Sequence, residues 1–300
     1  MDGILLLDKP AGPTSHDVVA AARRALGLQR VGHAGTLDPA ATGLLVILAG
    51  RATRLARFCS IMPKRYSGVI QFGTETDTDD AAGAPVGEPD ESWRVLLQPE
   101  LEAALRKVQA RTHQVPPAVS AKKVDGVRSY RLARRGAAPA LAPAPVVIER
   151  LRCDRFDRQL GEAHVDVLCS SGTYVRAIAR DVGHELGTRA HLASLRRTEI
   201  GNWKVEDAMT MDMLTADGLR LTNDGHTELS AVSRPPSAFR SMAEAVAFLP
   251  AVILPADEAR RFALGQKIPV TAVEGSAIAV STPAISSASP SCATASSTPT

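Results

Sequence analysis

The stretch VGHAGTLDPAATG, residues 31–43, sets one carboxylate, Asp38, among three glycines and a proline. An acid so placed can serve as nucleophile or base against a substrate that the glycines let the backbone approach closely. It can equally begin a turn, since Asp-Pro is a common turn start. Desolvation disfavours a buried carboxylate, so a working acid here calls for a cationic partner. At ~4 Å and an effective dielectric near 20, such a partner contributes about 4 kcal/mol. Arg176 is a good candidate, although an arginine so placed more often simply faces solvent. It lies in SSGTYVRAIARD, where a strand ends in Ser-Ser-Gly and a helix begins, and helix starts after strands often face ligands. Tyr66, one of three tyrosines, follows Lys64 and Arg65 at the start of a strand. It reads either as a half-buried packing residue or as a platform for a base, worth about 1–3 kcal/mol, with two basic neighbours able to hold phosphates. His33 can stack or donate, or sit in its loop with a backbone partner.

These groups need a frame. GILLLD reads as a buried strand closed by Lys9-Pro10. PTSHDVVAAARRALG reads as a helix with Thr14 as N-cap, Asp17 in the capping-box position and Gly27 as its stop. The apolar strand LLVILAG follows the glycine loop. YSGVIQFG alternates, placing Tyr66, Ile70 and Phe72 on one face and Val69 on the other. GTETDTDDAAGAPVG is a polar, acidic loop, and PELEAALRKVQA an amphipathic helix. AHVDVLCSSG alternates again and runs directly into the helix TYVRAIARDVGHELG. Strands and helices mix without a strict βαβ rhythm, which predicts an α+β fold with a mixed or antiparallel sheet.

Composition narrows the class. Three hundred residues with 45% apolar content suffice for one large domain plus a small one. The net charge of +3 is weak by itself, but basic residues cluster. KKVDGVRSYRLARR (122–135) carries six lysines and arginines against Asp125, and a second group holds Arg189, Arg196 and Arg197. Either run alone reads equally well as a solvated helix face. Four scattered cysteines form no CxxC pair, against a zinc site or a disulfide framework. The histidines show no HxxxH or HExxH spacing. The first apolar run is too short for a signal peptide or a membrane span, so a cytoplasmic, soluble chain is expected. From 276 to 300 there is no charge and no aromatic, and such a segment is expected to be disordered.

Six stretches occur in order and at natural spacing: GILLLDKPAGPTSHD, RVGHAGTLDPAATGLLVILAGRATR, KRYSGVIQFGTETDTDDAAG, VPPAVSAKKVDGVRSYRLARRG, CSSGTYVRAIARDVG and HLASLRRTEIGNW. Together they closely resemble the bacterial tRNA uridine-55 pseudouridine synthases, the TruB family, over residues 3–208. The resemblance implies the pseudouridine synthase fold and isomerisation of one uridine in the TΨC loop of tRNA, by base flipping and without a cofactor. It implies that Asp38 is the attacking aspartate, Tyr66 the tyrosine that packs on the uracil, and Arg176 the arginine paired with the aspartate. For substrate binding it implies Lys9, which braces the active-site strand, His33, which helps flip the target, and Asp80 beside the flipped nucleotides. Lys123, Tyr174 and Leu195 complete the set, with Leu195 beneath the target base. Val119 and Lys122 depart from the family's usual residues. The implied organisation is a catalytic domain over 1–245, with an RNA-gripping insertion at 111–141. An incomplete, truncated or aberrant C-terminal segment like the RNA-binding PUA domain follows over 246–275, then the low-complexity tail. The expected partner is tRNA, with no membrane and no obligatory protein partner. Two other readings share these motifs: a guide-RNA-dependent pseudouridine synthase, and a non-catalytic RNA-binding module.

Overall fold

Consecutive apolar residues in a strand demand cover on both sheet faces, and GILLLDK receives it. A computed structural model describes residues 2–120, 141–216, 238–269 and 279–281, with the backbone of 123–124 and 127–128. Strand β1 (Gly3–Lys9) is buried along nearly its whole length. It pairs antiparallel with the equally apolar β3 (Thr42–Ala49), whose edge also carries the short β2 (Val31–His33). Leu5, Leu7, Leu45 and Ile47 pack under α1 (Ser15–Leu26), while Ile4, Leu6, Leu44 and Val46 pack against α2 (Ala56–Ile61) and the 242–246 segment. The caps of α1 are as expected. Thr14 Oγ accepts from Asp17 N–H, the Asp17 carboxylate accepts from Thr14 N–H, and Gly27 closes the helix at φ +62°.

The other half of the sheet alternates because one face is open. β4 (Lys64–Phe72) buries Lys64, Tyr66, Gly68, Ile70 and Phe72 and exposes Ser67. After α3 (Gln98–Gln109), two residues of β5 (His113–Gln114) pair with β8 (Ala144–Pro145) and so join the roots of the 111–141 segment. Between them lies the small hairpin β6 (Lys123–Val124) and β7 (Val127–Arg128). β9 (Ile148–Asp157), β10 (Glu162–Cys169), α4 (Val175–Glu185) and β11 (Ala190–Ile200) follow. Helices α3 and α4 cover the buried face of β4, β9, β10 and β11. The sheet closes with β12 (Trp203–Lys204), β13 (Met209–Thr210) and β14 (Phe239–Arg240). Among the described residues its order is β13-β1-β3-β11-β4-β10-β9. β3 and β11 run parallel, and the pairs from β11 through β4 and β10 to β9 are antiparallel. The expected mixed α+β sheet is therefore present.

Two expectations need correction. Arg196 and Arg197 do not lie on a helix face, because Ala190–Ile200 form the central strand β11, and Arg189 immediately precedes that strand. Within the 276–300 tail, Ala279–Ser281 form β16, parallel to β15 (Ala251–Ile253); the apolar Ala-Ile-Ala-Val run gives that stretch a strand to join. The rest of the tail from 282 lies outside the described residues, as do most of the 122–135 basic run and 217–237. No described helix is long and apolar enough to cross a membrane.

Candidate active site

The strand β4 and the strand β11 face each other in register, Tyr66 opposite Arg197 and Gly68 opposite Leu195. A bulge between Leu192 and Ser194 shifts the side-chain parity of β11, so Leu195 and Arg197 point to the side occupied by Tyr66. Gly68 carries no side chain, and a Cβ there would lie 3.5 Å from the tip of Leu195. Leu195 therefore lies beside Tyr66 as a floor for a flat ligand.

Asp38 reaches this floor from the loop between β2 and β3. Its turn is tied down from below. The fully buried Lys9 donates to the carbonyls of Pro39 (3.0 Å) and Ala41 (2.6 Å), on either side of that turn, and to Pro10. Burial lowers the Lys9 pKa, with Arg197 adding to the effect and Asp38 opposing it. Charge-assisted bonds of roughly 1.5–3 kcal/mol each offset that desolvation. Ser15, at the start of α1, both donates to Leu37 C=O and accepts from Leu37 N–H. Arg197 is 1% exposed and donates to the carbonyls of Leu44, Thr36 and Gly35. Gly43 makes its close approach possible. At φ +100°, a Cβ on Gly43 would sit 2.2 Å from the Arg197 carbonyl oxygen.

The counter-charge comes from the first turn of α4. Arg176 Nε lies 3.0 Å from Asp38 Oδ2, and its Nη1 3.5 Å from Asp80 Oδ2. The guanidinium also donates to Thr78 C=O (2.9 Å) and Val119 C=O (3.1 Å). Burial falls on the base and spares the acid: the Arg176 side chain is 7% exposed and that of Asp38 is 44%. The expected pairing is present, with the roles of buried and solvated partner exchanged. Arg176 holds Asp38 at the edge of the cleft that both residues line.

Asp38, Tyr66, Tyr174, Arg176 and Leu195 line one cleft of about 250 Å³, together with Lys64 and Arg197. Burial pushes the Tyr66 phenol up from its usual value, against the pull of Arg197. Asp80 lies in the adjoining hollow, held by Thr78 Oγ and Ala82 N–H. The backbone N–H of Tyr174 donates to Gln114. Lys9 acts from beneath the loop. His33 sits edge-on to His16 at 5.6 Å and does not line the cleft. Burial, with the charges of His16 and Arg197, lowers its pKa and keeps it neutral. The Lys123 side chain lies outside the described residues.

Sequence reasoning missed the parts played by Arg197, Ser15 and Lys64. Lys64 carried a legible signal: it shares strand parity with Tyr66, Ile70 and Phe72, so it had to point inward.

Comparison with known proteins bears on this geometry. A family model described as TruB family pseudouridylate synthase (N terminal domain) matches residues 23–175, and one described as tRNA pseudouridylate synthase B C-terminal domain matches 176–260. Both matched segments contribute strands to the one sheet. The tRNA pseudouridine synthase B of Mycobacteroides abscessus is 46% identical over 225 residues, covering 74% of either chain. That of Thermobifida fusca is 45% identical over 227 residues, 72% of this chain and 75% of its own. Among solved structures, a Cbf5-Nop10-Gar1 complex superposes over 94% of this chain and 75% of that chain, with TM-score 0.70 and 24% identity. An H/ACA RNP bound to a substrate RNA containing 2'-deoxyuridine gives 0.69 and 22% over 94% and 74%. At such identity these two show a shared fold.

Proposed function

This chain belongs to the TruB family of pseudouridylate synthases, and from that premise we propose that it converts uridine 55, in the TΨC loop of tRNA, to pseudouridine with Asp38 as nucleophile. The observation that carries the reading is the Asp38–Arg176 pair at 3.0 Å, set over a floor of Tyr66 and Leu195 in one cleft.

Extruding the stacked base costs a few kcal/mol. Stacking on Tyr66, at roughly 1–3 kcal/mol, and phosphate contacts offset that cost. Asp38 attacks the extruded nucleotide with its carboxylate. The bond from C1′ to N1 breaks with its electron pair left on the uracil, the uracil turns over within the cleft, and C1′ rejoins it at C5 as the bond to Asp38 breaks and its carboxylate is released. The C5 hydrogen leaves as a proton and N1 gains one, so the formula is unchanged and no cofactor is consumed. One acid suffices, because no water need be activated as in glycoside hydrolysis. Tyr66, whose phenol stays neutral through burial, packs on the ring and takes part in that proton movement. Asp80 and Tyr174 hold the flanking part of the loop, and His33 fills the space that the target vacates.

The 111–141 segment grips the TΨC arm, Lys123 included. Its root supports this: Gln114, Val115 and Val119 accept hydrogen bonds from Tyr174, Arg180 and Arg176, so the grip and the catalytic arginine share a base.

The test is incubation with unmodified tRNA transcripts, followed by mapping of pseudouridine by position. Product is expected at position 55 alone, without guide RNA or added protein. Asp38→Asn is expected to abolish it while tRNA binding survives. Pseudouridine made by Asp38→Asn would overturn the assignment of the nucleophile, and product at other positions would overturn the substrate.

A further inference from the structure

Four cations are buried around the cleft: Lys9, Lys64, Arg176 and Arg197. In three of them every nitrogen already has an acceptor. Lys9 has three carbonyls, Arg197 has a carbonyl for each nitrogen, and Arg176 has Asp38, Asp80 and two carbonyls. Lys64 differs. Its ammonium donates to Ser60 C=O (2.7 Å) and Met62 C=O (2.6 Å), both at the end of α2. An ammonium has three donors, so one N–H is left without an acceptor among the described residues. The residue lines the cleft with Ser60, Tyr66 and Arg197.

We propose that Lys64 is a further catalytic residue, whose third N–H donates to a carbonyl oxygen of the target uracil and stabilises the negative charge on the detached ring. This rests on the function proposed above, because only a reaction that breaks the base from its ribose puts such charge in the cleft. The electron pair of the broken bond stays with the ring, spread over N1 and the two carbonyl oxygens. Lys64 keeps its proton throughout, and the only proton lost from the ring is the one at C5. A fixed donor in a water-poor site requires no reorganisation at the moment the charge develops.

The surroundings of Lys64 fit this use. Burial lowers its pKa to about 8, and Arg197 adds to the shift. The thiols nearest it, Cys59 on α2 and Cys169 at the end of β10, are pushed up by burial to about 11 and stay neutral at lower pH. Tyr66 is likewise raised, and Arg197, Arg176 and Asp38 complete the charged groups lining the cleft. A partly desolvated ammonium is a stronger donor than a hydrated one, since water does not compete for it.

The experiment measures pseudouridine formation on tRNA transcript by wild type, Lys64→Met and Lys64→Arg from pH 6 to 10, with thermal midpoints. Lys64→Met is expected to lose about 10²-fold in kcat, the usual effect of removing one such donor, with KM changed less than about threefold. Wild-type kcat/KM is expected to fall above about pH 8. Lys64→Arg, whose guanidinium does not titrate, is expected to lack that alkaline fall. Titration of the RNA itself is common to both proteins and cancels in their ratio. A Lys64→Met enzyme with wild-type kcat would overturn the proposal, as would an alkaline fall unchanged in Lys64→Arg. The latter is what a mere brace of α2 predicts, and it decides the matter even where Lys64→Met fails to fold. Failure of wild type to make pseudouridine at any pH would instead remove the proposed function.

Discussion

Gly43→Ala is the most searching test of how the Asp38 loop is held. The two halves of the sheet meet where β3 runs parallel to β11, at the pairs Thr42–Arg196 and Gly43–Arg197. A methyl at Gly43 meets two separate costs. The first is backbone strain, because φ is +100°, costing about 1–3 kcal/mol. The second is collision: the Cβ would lie 2.2 Å from the Arg197 carbonyl oxygen and 2.8 Å from its nitrogen. These are backbone atoms and cannot swing aside, so β11 must move by about 1 Å, at a further ~1–3 kcal/mol or more. Gly12 separates the two costs. It has φ +107° and nothing within 4 Å of its Cβ position, so Gly12→Ala carries strain alone. Urea or thermal unfolding should therefore show Gly43→Ala losing about 2–6 kcal/mol and Gly12→Ala about 1–3 kcal/mol. At roughly 2–4 °C per kcal/mol for a chain of this size, the collision alone sets an expected gap of about 2–12 °C between them. Activity should diverge further. Arg197 holds the carbonyls of Gly35 and Thr36 just before Asp38, and a 1 Å misplacement can cost about 10²-fold in rate. Equal melting points and equal kcat for the two variants would refute the reasoning.

Arg176→Lys keeps a positive charge but cannot reach Asp38, Asp80, Thr78 and Val119 together; kcat on tRNA is expected to fall at least ~10²-fold with tRNA affinity nearly kept, and a rate within threefold of wild type would sink the pairing role. Stability against pH should have a maximum near 9. Between pH 8 and 9 the folded chain sheds the Lys64 proton while the unfolded chain, near 10.5, keeps it, so the unfolded state binds more protons and stability rises with pH. Above 9 the unfolded thiols ionise while Cys59 and Cys169 hold their protons to about 11, and the sign reverses. Urea midpoints across pH 7–10.5 check this, and the double variant Cys59→Ala, Cys169→Ala should move the maximum upward.

The elements legible in the sequence were those whose pattern and burial agree. β1 and β3 read as buried runs because helices lie on both faces, and α1 announced both its ends through Thr14, Asp17 and Gly27. β11 was obscure for a physical reason. Its two bulges break the period of two, and its arginines suggest a wet surface, although Arg197 is among the most buried side chains in the molecule. β9 was hidden likewise, since register shifts at Glu149 and Asp154 space Ile148, Leu151, Cys153 and Phe156 irregularly among charged residues. In the site, Asp38, Tyr66, Arg176 and Leu195 were named from motif contexts and do converge. The inward cations Lys9, Lys64 and Arg197 serve by holding backbone carbonyls, and no spacing rule reports which carbonyls a fold will leave unpaired. Asp38 itself looked like a turn residue or a nucleophile. It is the turn residue in geometry, since Ala41 N–H bonds its carbonyl, and its carboxylate meets Arg176 at the edge of the cleft.

The order of the sheet also has a consequence for how the molecule is made. Among the described residues β4, which carries Lys64 and Tyr66, pairs with β10 and β11, and the first of these begins about ninety residues after β4 ends. At roughly 5–20 residues per second of synthesis, both edges of β4 stay open for about 5–20 s. Such an edge is a template for pairing with another chain. Newly emerging copies on one message can pair through this edge until β10 and β11 cover it. The cleft gains Leu195 and Arg197 only when β11 is complete, so a chain cut short before residue 190 lacks both that side of the cleft and the guanidinium that holds the carbonyls of Gly35 and Thr36.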